Sequence, residues 1–150
     1  MTARPLILGL GNPHRGDDGA GAAVAGHLRS AACDIRLSDG EATDILDAWQ
    51  AYDEVVTLDA AAPAGRPGRI RAHASMGLAG EYIPTPASSH GLGLREAVRL
   101  GAALALLPRR LYIYTIEGAD FTAGAPLSSP VAKAVQGLAR ILMGRYRHPC

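Results

Sequence analysis

Three short polar motifs in this sequence carry side chains that can bind a metal ion or move a proton. The first is GLGNPHRGDDGAG, from Gly9 to Gly21, and it contains the neighbouring acids Asp17 and Asp18. The second is LDA, centred on Asp59, and the third is SSHG, which supplies His90. Two carboxylates and one imidazole can coordinate a divalent transition metal such as nickel or zinc and leave positions open for water or substrate.

Each of these residues also has an ordinary structural explanation. Asp17 and Asp18 stand at the start of a predicted helix, where a carboxylate gains about 0.3 to 1 kcal/mol from exposed amides and the helix dipole. We interpret Asp17 as a cap or loop organiser and assign the outward-facing functional role to Asp18. An aspartate after a strand often forms a turn, and a histidine at a helix end is often only a hydrogen-bonding residue. Local capping does not explain why Asp18, Asp59 and His90 should reach one edge.

The apolar runs between these motifs predict alternating strands and helices. Apolar or β-branched runs predict strands at Pro5–Leu10, Cys33–Leu37, Glu54–Leu58 and Leu111–Ile116, and an edge strand at Arg69–Ala72. Apolar residues at helical spacing predict helices at Gly19–Arg29, at Asp44–Tyr52, around Leu94–Leu104 with His90 at or just before its start, and from Ser129 to about Tyr146. Thr43 and Ser129 are predicted N-caps.

This alternation predicts one α/β domain over residues 1–150. We expect right-handed crossovers and a three-layer α/β/α sandwich, phosphorylase/hydrolase-like, around a mostly parallel twisted sheet of about five strands. Ligands of such sheets usually bind beyond the carboxyl ends of the strands. The fold therefore predicts that the three motifs meet at that edge.

Composition and charge exclude several other functions. The formal net charge is +1 and the charges are interspersed, so neither nucleic acid nor an anionic membrane surface is an expected partner. No uncharged stretch approaches the roughly 18 residues that a membrane span needs. Cys33 and Cys150 lack the spacing of a zinc knot or a disulfide framework, which favours a cytoplasmic location.

The glycine-rich first motif does not fit nucleotide binding. It lacks the third glycine of GxGxxG, and Pro13 removes an amide that a pyrophosphate could use. No GxSxG elbow is present, so serine hydrolase chemistry has little support. His14 is at the tip of the same loop, and we keep it as a candidate substrate contact only.

Four fragments taken in order, GLGNPHRGDDGAG, LDA, SSHGLGL and IEGADFTAGAPLSSPV, resemble the nickel-iron hydrogenase maturation endopeptidases over nearly the whole chain. The resemblance implies a peptidase that removes the C-terminal extension of a NiFe hydrogenase large-subunit precursor after nickel insertion. It implies that Asp18, Asp59 and His90 contact the metal and carry the catalysis. It favours nickel supplied by the substrate, with another divalent ion as the alternative. The implied substrate-binding residues are Asn12, Asp39 and Gly40.

Two departures from the family pattern and two rival functions stay open. Relatives often have Asp-Gly-Gly-Thr where this chain has Asp39-Gly40-Glu41-Ala42, and Ala62 stands where a second acid is often found. Either Asp18 or Asp59 could be the general base. The rivals are a non-catalytic nickel-binding module that checks assembly and another small hydrolase on the same scaffold. A monomer is favoured, but the sequence does not determine the oligomeric state.

Overall fold

The computed structural model describes residues 4–74 and 89–147, of which 89–92 as backbone only. Its strands are β1 (Leu6–Leu10), β2 (Asp34–Ser38), β3 (Glu54–Ala61), β4 (Ile70–Ala74) and β5 (Arg110–Glu117). Its helices are α1 (Ala20–Gly26), α2 (Ala42–Gln50), α3 (Ser89–Ala103) and α4 (Ser129–Arg145), with a 3₁₀ turn at Gly16–Gly19 before α1. The predicted alternation of strands and helices is confirmed.

The five strands form one sheet in the order β2-β1-β3-β5-β4. Neighbouring strands are parallel except β4, which runs antiparallel to β5 at the edge. The chain moves from β1 to β2 in one direction and later from β3 to β5 in the other. The connections after β1 and β3 therefore diverge, and the rule for such sheets puts the ligand-binding crevice at the carboxyl ends of these two strands.

Helices cover both faces of the sheet, which confirms the three-layer sandwich. On one face α1 and α4 enclose a core that includes Ile7, Val56 and Leu58. On the other face α2 and α3 enclose a second core, and Val55 and Ile113 belong to it. No helix in the described part of the chain is both long enough and apolar enough to cross a bilayer.

The close contact of α1 with the sheet depends on Gly21. A Cβ atom at this position would lie 2.5 Å from the carbonyl oxygen of Leu58 and 2.8 Å from that of Leu10. Both oxygens belong to backbone, which cannot move aside as a flexible side chain can. Only glycine therefore lets α1 pack directly on β1 and β3, as the small residues of this helix predict.

Several helix ends differ from the predicted ones. Thr43 is not an N-cap, because α2 begins at Ala42 and Glu41 occupies the cap position. Ser129 is likewise the first residue of α4, and Ser128 is its N-cap. α1 stops at Gly26, because the next two amides, of His27 and Leu28, donate to carbonyl oxygens three residues earlier instead of four. This tighter 3₁₀ pattern closes the last turn of the helix.

α3 ends in a left-handed residue that is not glycine. Ala105 has a φ of 56°, and the amide of Leu106 donates to the carbonyl oxygen of Gly101 at 2.8 Å. This is the bond of a Schellman motif, whose left-handed position usually holds glycine because a Cβ is unfavourable there. The helix end therefore carries a backbone strain that the sequence does not avoid.

Candidate active site

Asp59 lies inside β3 and points to the α2 and α3 face. Val55 and Thr57 face that side, and the indole N–H of Trp49 on α2 donates to the Thr57 hydroxyl at 3.1 Å. Strand alternation gives Asp59 the same direction as Thr57. The strand was predicted to end at Asp59, but its pairing with β5 continues through Asp59 to Ala61. The carboxyl group is thus held by a rigid strand rather than by a loop.

The environment of Asp59 changes its acidity. The residue is 4% exposed. Burial raises the pKa of Asp59, and the nearby charge of Asp18 raises it further. The amide of Ala60, which donates to Oδ1 at 2.8 Å, lowers the pKa but only in part, so that it reaches about 7. At neutral pH this carboxyl group is therefore divided between its protonated and ionised forms. A group in that state can accept a proton and return it.

Asp18 reaches the same crevice from the 3₁₀ turn that follows β1. Its Oδ2 accepts the amide hydrogen of Asn12 at 2.9 Å, and its own amide donates to the carbonyl oxygen of Arg15 at 3.1 Å. Gly11 has a φ of 108°, and a Cβ there would collide with the carbonyl oxygen of Asp18. Asp18 is only 2% exposed, so the prediction that it faces outward is wrong. It is buried close enough to Asp59 for their charges to interact.

Asp17 has the organising role that the sequence indicates. Its carboxylate accepts hydrogen bonds from the amides of Ala119, Asp120 and Ser128 and from the Ser128 hydroxyl, at 2.7 to 3.0 Å. Burial raises the pKa of Asp17, but these four donors outweigh it and hold the pKa below its ordinary value. Asp17 is therefore a charged anchor for a segment more than a hundred residues away.

Asn12 occupies the loop that leads from β1 to the 3₁₀ turn. Besides the bond from its amide to Asp18, its side-chain Oδ1 accepts the amide hydrogen of His14 at 2.9 Å. The side chain of His14 is exposed at the loop tip. Asn12 thus stands beside one of the two acids, and its role in substrate binding stays a prediction.

Asp39 and Gly40 follow β2 at the same edge of the sheet. Gly11 donates its amide to the carbonyl oxygen of Ser38 at 3.0 Å, which joins this turn to the loop after β1. Gly40 has a φ of 99° and donates its amide to the Ser38 hydroxyl at 3.1 Å. Asp39 is exposed, and its Oδ1 accepts the amide of Glu41 at 3.2 Å. The predicted substrate-binding residues are therefore near one another, with Gly40 buried and Asp39 open to solvent.

His90 is the second residue of α3, and its side chain lies outside the described part of the structure. α3 covers the face to which Asp59 points, and its Gly93 packs so tightly against the carbonyl of Gly40 that no Cβ would fit. The start of α3 is therefore at the edge that holds Asp39 and Gly40. That the His90 side chain lies close to Asp18 and Asp59 stays a prediction. Among the described side chains no group of three or more histidines, cysteines or acids could hold a metal.

Glu117 is a structural residue at this edge that sequence reasoning missed. It ends β5 and is 5% exposed. Its Oε2 accepts the amides of Ala64 and Arg66, at 3.0 and 2.5 Å, and so fixes the loop after β3. An acid at the carboxyl end of an apolar strand is the signal that also identified Asp59. Glu117 and Asp59 differ in the groups that their carboxylates bind, and the sequence does not reveal those groups.

Comparison with known proteins extends this description. No protein-family model matches the chain, and no curated protein matches it. Among solved structures, an endopeptidase from Escherichia coli is 17% identical with a TM-score of 0.78, over 94% of this chain and 90% of that one. The hydrogenase maturating endopeptidase HybD from the same organism is 18% identical with a TM-score of 0.77, over 96% and 92%.

A third solved structure agrees with the first two. The NiFe hydrogenase maturation protease HybD from Thermococcus kodakarensis is 23% identical with a TM-score of 0.75, over 95% of this chain and 99% of that one. Identities this low establish the fold and leave the activity open. The chain has the α/β/α fold of the hydrogenase maturation endopeptidases, as the resemblance of its motifs implies.

Proposed function

We propose that this protein is an endopeptidase that removes the C-terminal extension of a NiFe hydrogenase large-subunit precursor after nickel insertion. The observation that carries the proposal is the pair of buried acids, Asp18 and Asp59, at the crevice between β1 and β3. The fold supports the choice of substrate, because it is shared with proteins named as hydrogenase maturation proteases. A cytoplasmic monomer belongs to the same proposal, and size-exclusion chromatography tests the monomer.

Nickel enters this proposal as part of the substrate. Two carboxylates buried side by side repel each other, as the effect of Asp18 on Asp59 indicates. A bound cation relieves this repulsion, and carboxylate oxygens together with an imidazole nitrogen suit a divalent transition metal. Asp18, Asp59 and His90 would grip the nickel already seated in the precursor. The extension would then lie along the edge formed by Asn12, Asp39 and Gly40.

Asp59 is the general base in this proposal. Its ionised form takes a proton from a water molecule as the water oxygen attacks the scissile carbonyl carbon. The same proton then passes to the nitrogen of the leaving segment as the carbon–nitrogen bond breaks. Before nickel arrives, burial and the Asp18 charge raise the pKa of Asp59 to about 7, so both forms of the carboxyl group exist near neutral pH. Asp18 helps to hold the nickel in this proposal.

A precursor-processing assay tests the proposal. Nickel-loaded and nickel-free precursors are incubated with substoichiometric wild-type protein, and shortening is followed by mass spectrometry. Asp18→Asn, Asp59→Asn and His90→Ala should each slow processing by about 100-fold or more. Matched controls are Asp47→Asn on α2 and His27→Ala at the end of α1, both exposed and outside the crevice. These controls should process at the wild-type rate.

The possible results separate the rival functions. Repeated turnover by the wild-type protein would exclude a module that only checks assembly. Normal processing by all three site variants would contradict the assignment of the site. Failure on every hydrogenase precursor would contradict the proposed function and favour another small hydrolase. Metal analysis of the purified protein distinguishes nickel brought by the substrate from a resident ion, which would be stoichiometric before substrate arrives.

A further inference from the structure

The segment 118–128 takes no part in the reaction proposed above, yet it is bound to the turn that carries Asp18. Asp17 accepts the amides of Ala119 and Asp120 through Oδ2, at 2.7 and 3.0 Å. It accepts the Ser128 amide through Oδ1 and the Ser128 hydroxyl through Oδ2, both at 2.7 Å. One carboxylate therefore holds both ends of the segment.

Backbone bonds on either side of Asp17 strengthen this attachment. The amide of Asp17 donates to the carbonyl oxygen of Asp120 at 2.8 Å, and that of Gly16 donates to Ala125 at 3.1 Å. The amide of Gly124 donates in the other direction, to the carbonyl oxygen of His14 at 2.7 Å. The turn and the segment are thus joined along their length by backbone bonds as well as by the Asp17 carboxylate.

The position of Asp17 in the chain makes this attachment relevant to the candidate site. Its side chain is fully buried among donors from the segment, whereas the next residue, Asp18, accepts the amide of Asn12 and interacts with Asp59. Neighbouring residues in a tight turn have coupled backbone directions. Whatever fixes Asp17 therefore also fixes the direction in which the Asp18 carboxylate points.

We propose that Asp17 is a positioning residue that, by binding segment 118–128 through four hydrogen bonds, holds the 3₁₀ turn where Asp18 meets Asp59. Asparagine at position 17 has the same shape, but its amide nitrogen would face an N–H donor in place of one carboxylate oxygen. The turn would then lose part of its anchor, and Asp18 would lose its fixed direction. The effect on activity rests on the proposed function, whereas the effect on the turn does not.

The amide of Asn12 reports the position of Asp18 without any need for activity. Its hydrogen exchange and nitrogen chemical shift are measured by NMR in the wild type, Asp17→Asn, Ser128→Ala and Ser128→Thr. We expect exchange at Asn12 to be about tenfold faster in Asp17→Asn relative to the core amide of Val56, with a smaller change in Ser128→Ala. Ser128→Thr keeps both donors and should match the wild type. Asp120→Asn is the control, because among the described residues its carboxylate accepts hydrogen bonds from Thr122 and not from the turn.

An unchanged Asn12 amide in Asp17→Asn would overturn the proposal, and so would equal acceleration at Asn12 and Val56. If Asp17→Asn does not fold, Ser128→Ala decides by the same comparison. In the processing assay we expect kcat of folded Asp17→Asn to fall about 10- to 100-fold, with KM within about threefold of wild type. A rise in KM at unchanged kcat would contradict positioning. A wild-type protein without activity would defeat the proposed function instead, and the Asn12 amide would still decide this inference.

Discussion

Asp59 is buried beside Asp18, and its burial together with the Asp18 charge raises the pKa of Asp59 to about 7. In the unfolded chain the same carboxyl has its ordinary pKa near 3.8. Between these two values the folded protein holds a proton that the unfolded chain has released. Stability therefore falls as the pH rises through this window, since the unfolded state binds fewer protons there.

We predict that Asp59→Asn raises the free energy of unfolding at pH 8. Asparagine keeps the oxygen that accepts the Ala60 amide, and it has no charge to bury. The gain over wild type should grow from near zero at pH 4 to on the order of 2–4 kcal/mol at pH 8. Urea denaturation of both proteins across this pH range measures it. The exposed Asp47→Asn is the control, and a gain independent of pH would contradict the assigned pKa.

Removal of the Asp18 charge should lower the pKa of Asp59. Asp18→Asn keeps an oxygen for the Asn12 amide and removes the neighbouring negative charge that disfavours ionisation of Asp59. Carbon-13 NMR of the Asp59 carboxyl group, titrated in both proteins, gives the two pKa values. Burial remains the larger cause, so the pKa should move down and stay above 3.8. Identical titration curves would show that the two carboxyls do not interact.

Gly21→Ala should destabilise the protein where Gly26→Ala does not. Both glycines belong to α1, but a Cβ at Gly21 meets the backbone of β1 and β3, whereas none of the surrounding atoms lies within 4 Å of one at Gly26. Overpacking against backbone costs about 1–3 kcal/mol, and alanine at an open helical site gains up to about 1 kcal/mol. Chemical denaturation of the two variants measures the contrast. Equal stabilities would refute the direct contact of α1 with the sheet.

Ala105→Gly should stabilise the protein by about 0.5–1 kcal/mol, because it relieves the left-handed alanine at the end of α3. Ala102→Gly is the matched control three residues earlier, within the helix and exposed. There the same change should cost about 1 kcal/mol, since glycine weakens a helix interior. Thermal unfolding should therefore move in opposite directions for the two variants. A loss of stability in both would mean that residue 105 is not left-handed.

The sequence predicted the strands, the layers and the edge of the sheet because each depends on local patterns. A continuous apolar run predicts a strand covered on both faces, and β1 and β3 are of this kind. The rule that ligands bind beyond the carboxyl ends of the strands then predicted that Asp18 and Asp59 lie close together, and their charges do interact. The resemblance of the motifs agreed with the fold that the solved structures share.

The errors arise where distant partners decide the structure. β3 extends past Leu58 because β5 pairs with it as far as Ala61, and no local signal announces that pairing. Asp18 was expected to face outward because a capping role accounted for Asp17 and left Asp18 for function, yet both acids are buried. Glu117 was missed for the same reason, since the amides that it binds lie more than fifty residues earlier.

The bonds between Asp17 and Ser128 join residues 111 positions apart. During synthesis the turn with Asp18 leaves the ribosome well before the segment that anchors it. Until that segment is made, Asp17 lacks the four donors that hold the turn in place. The strands β1 to β5 all precede that segment in the chain, so the turn takes its anchored position only after the last of them has been made.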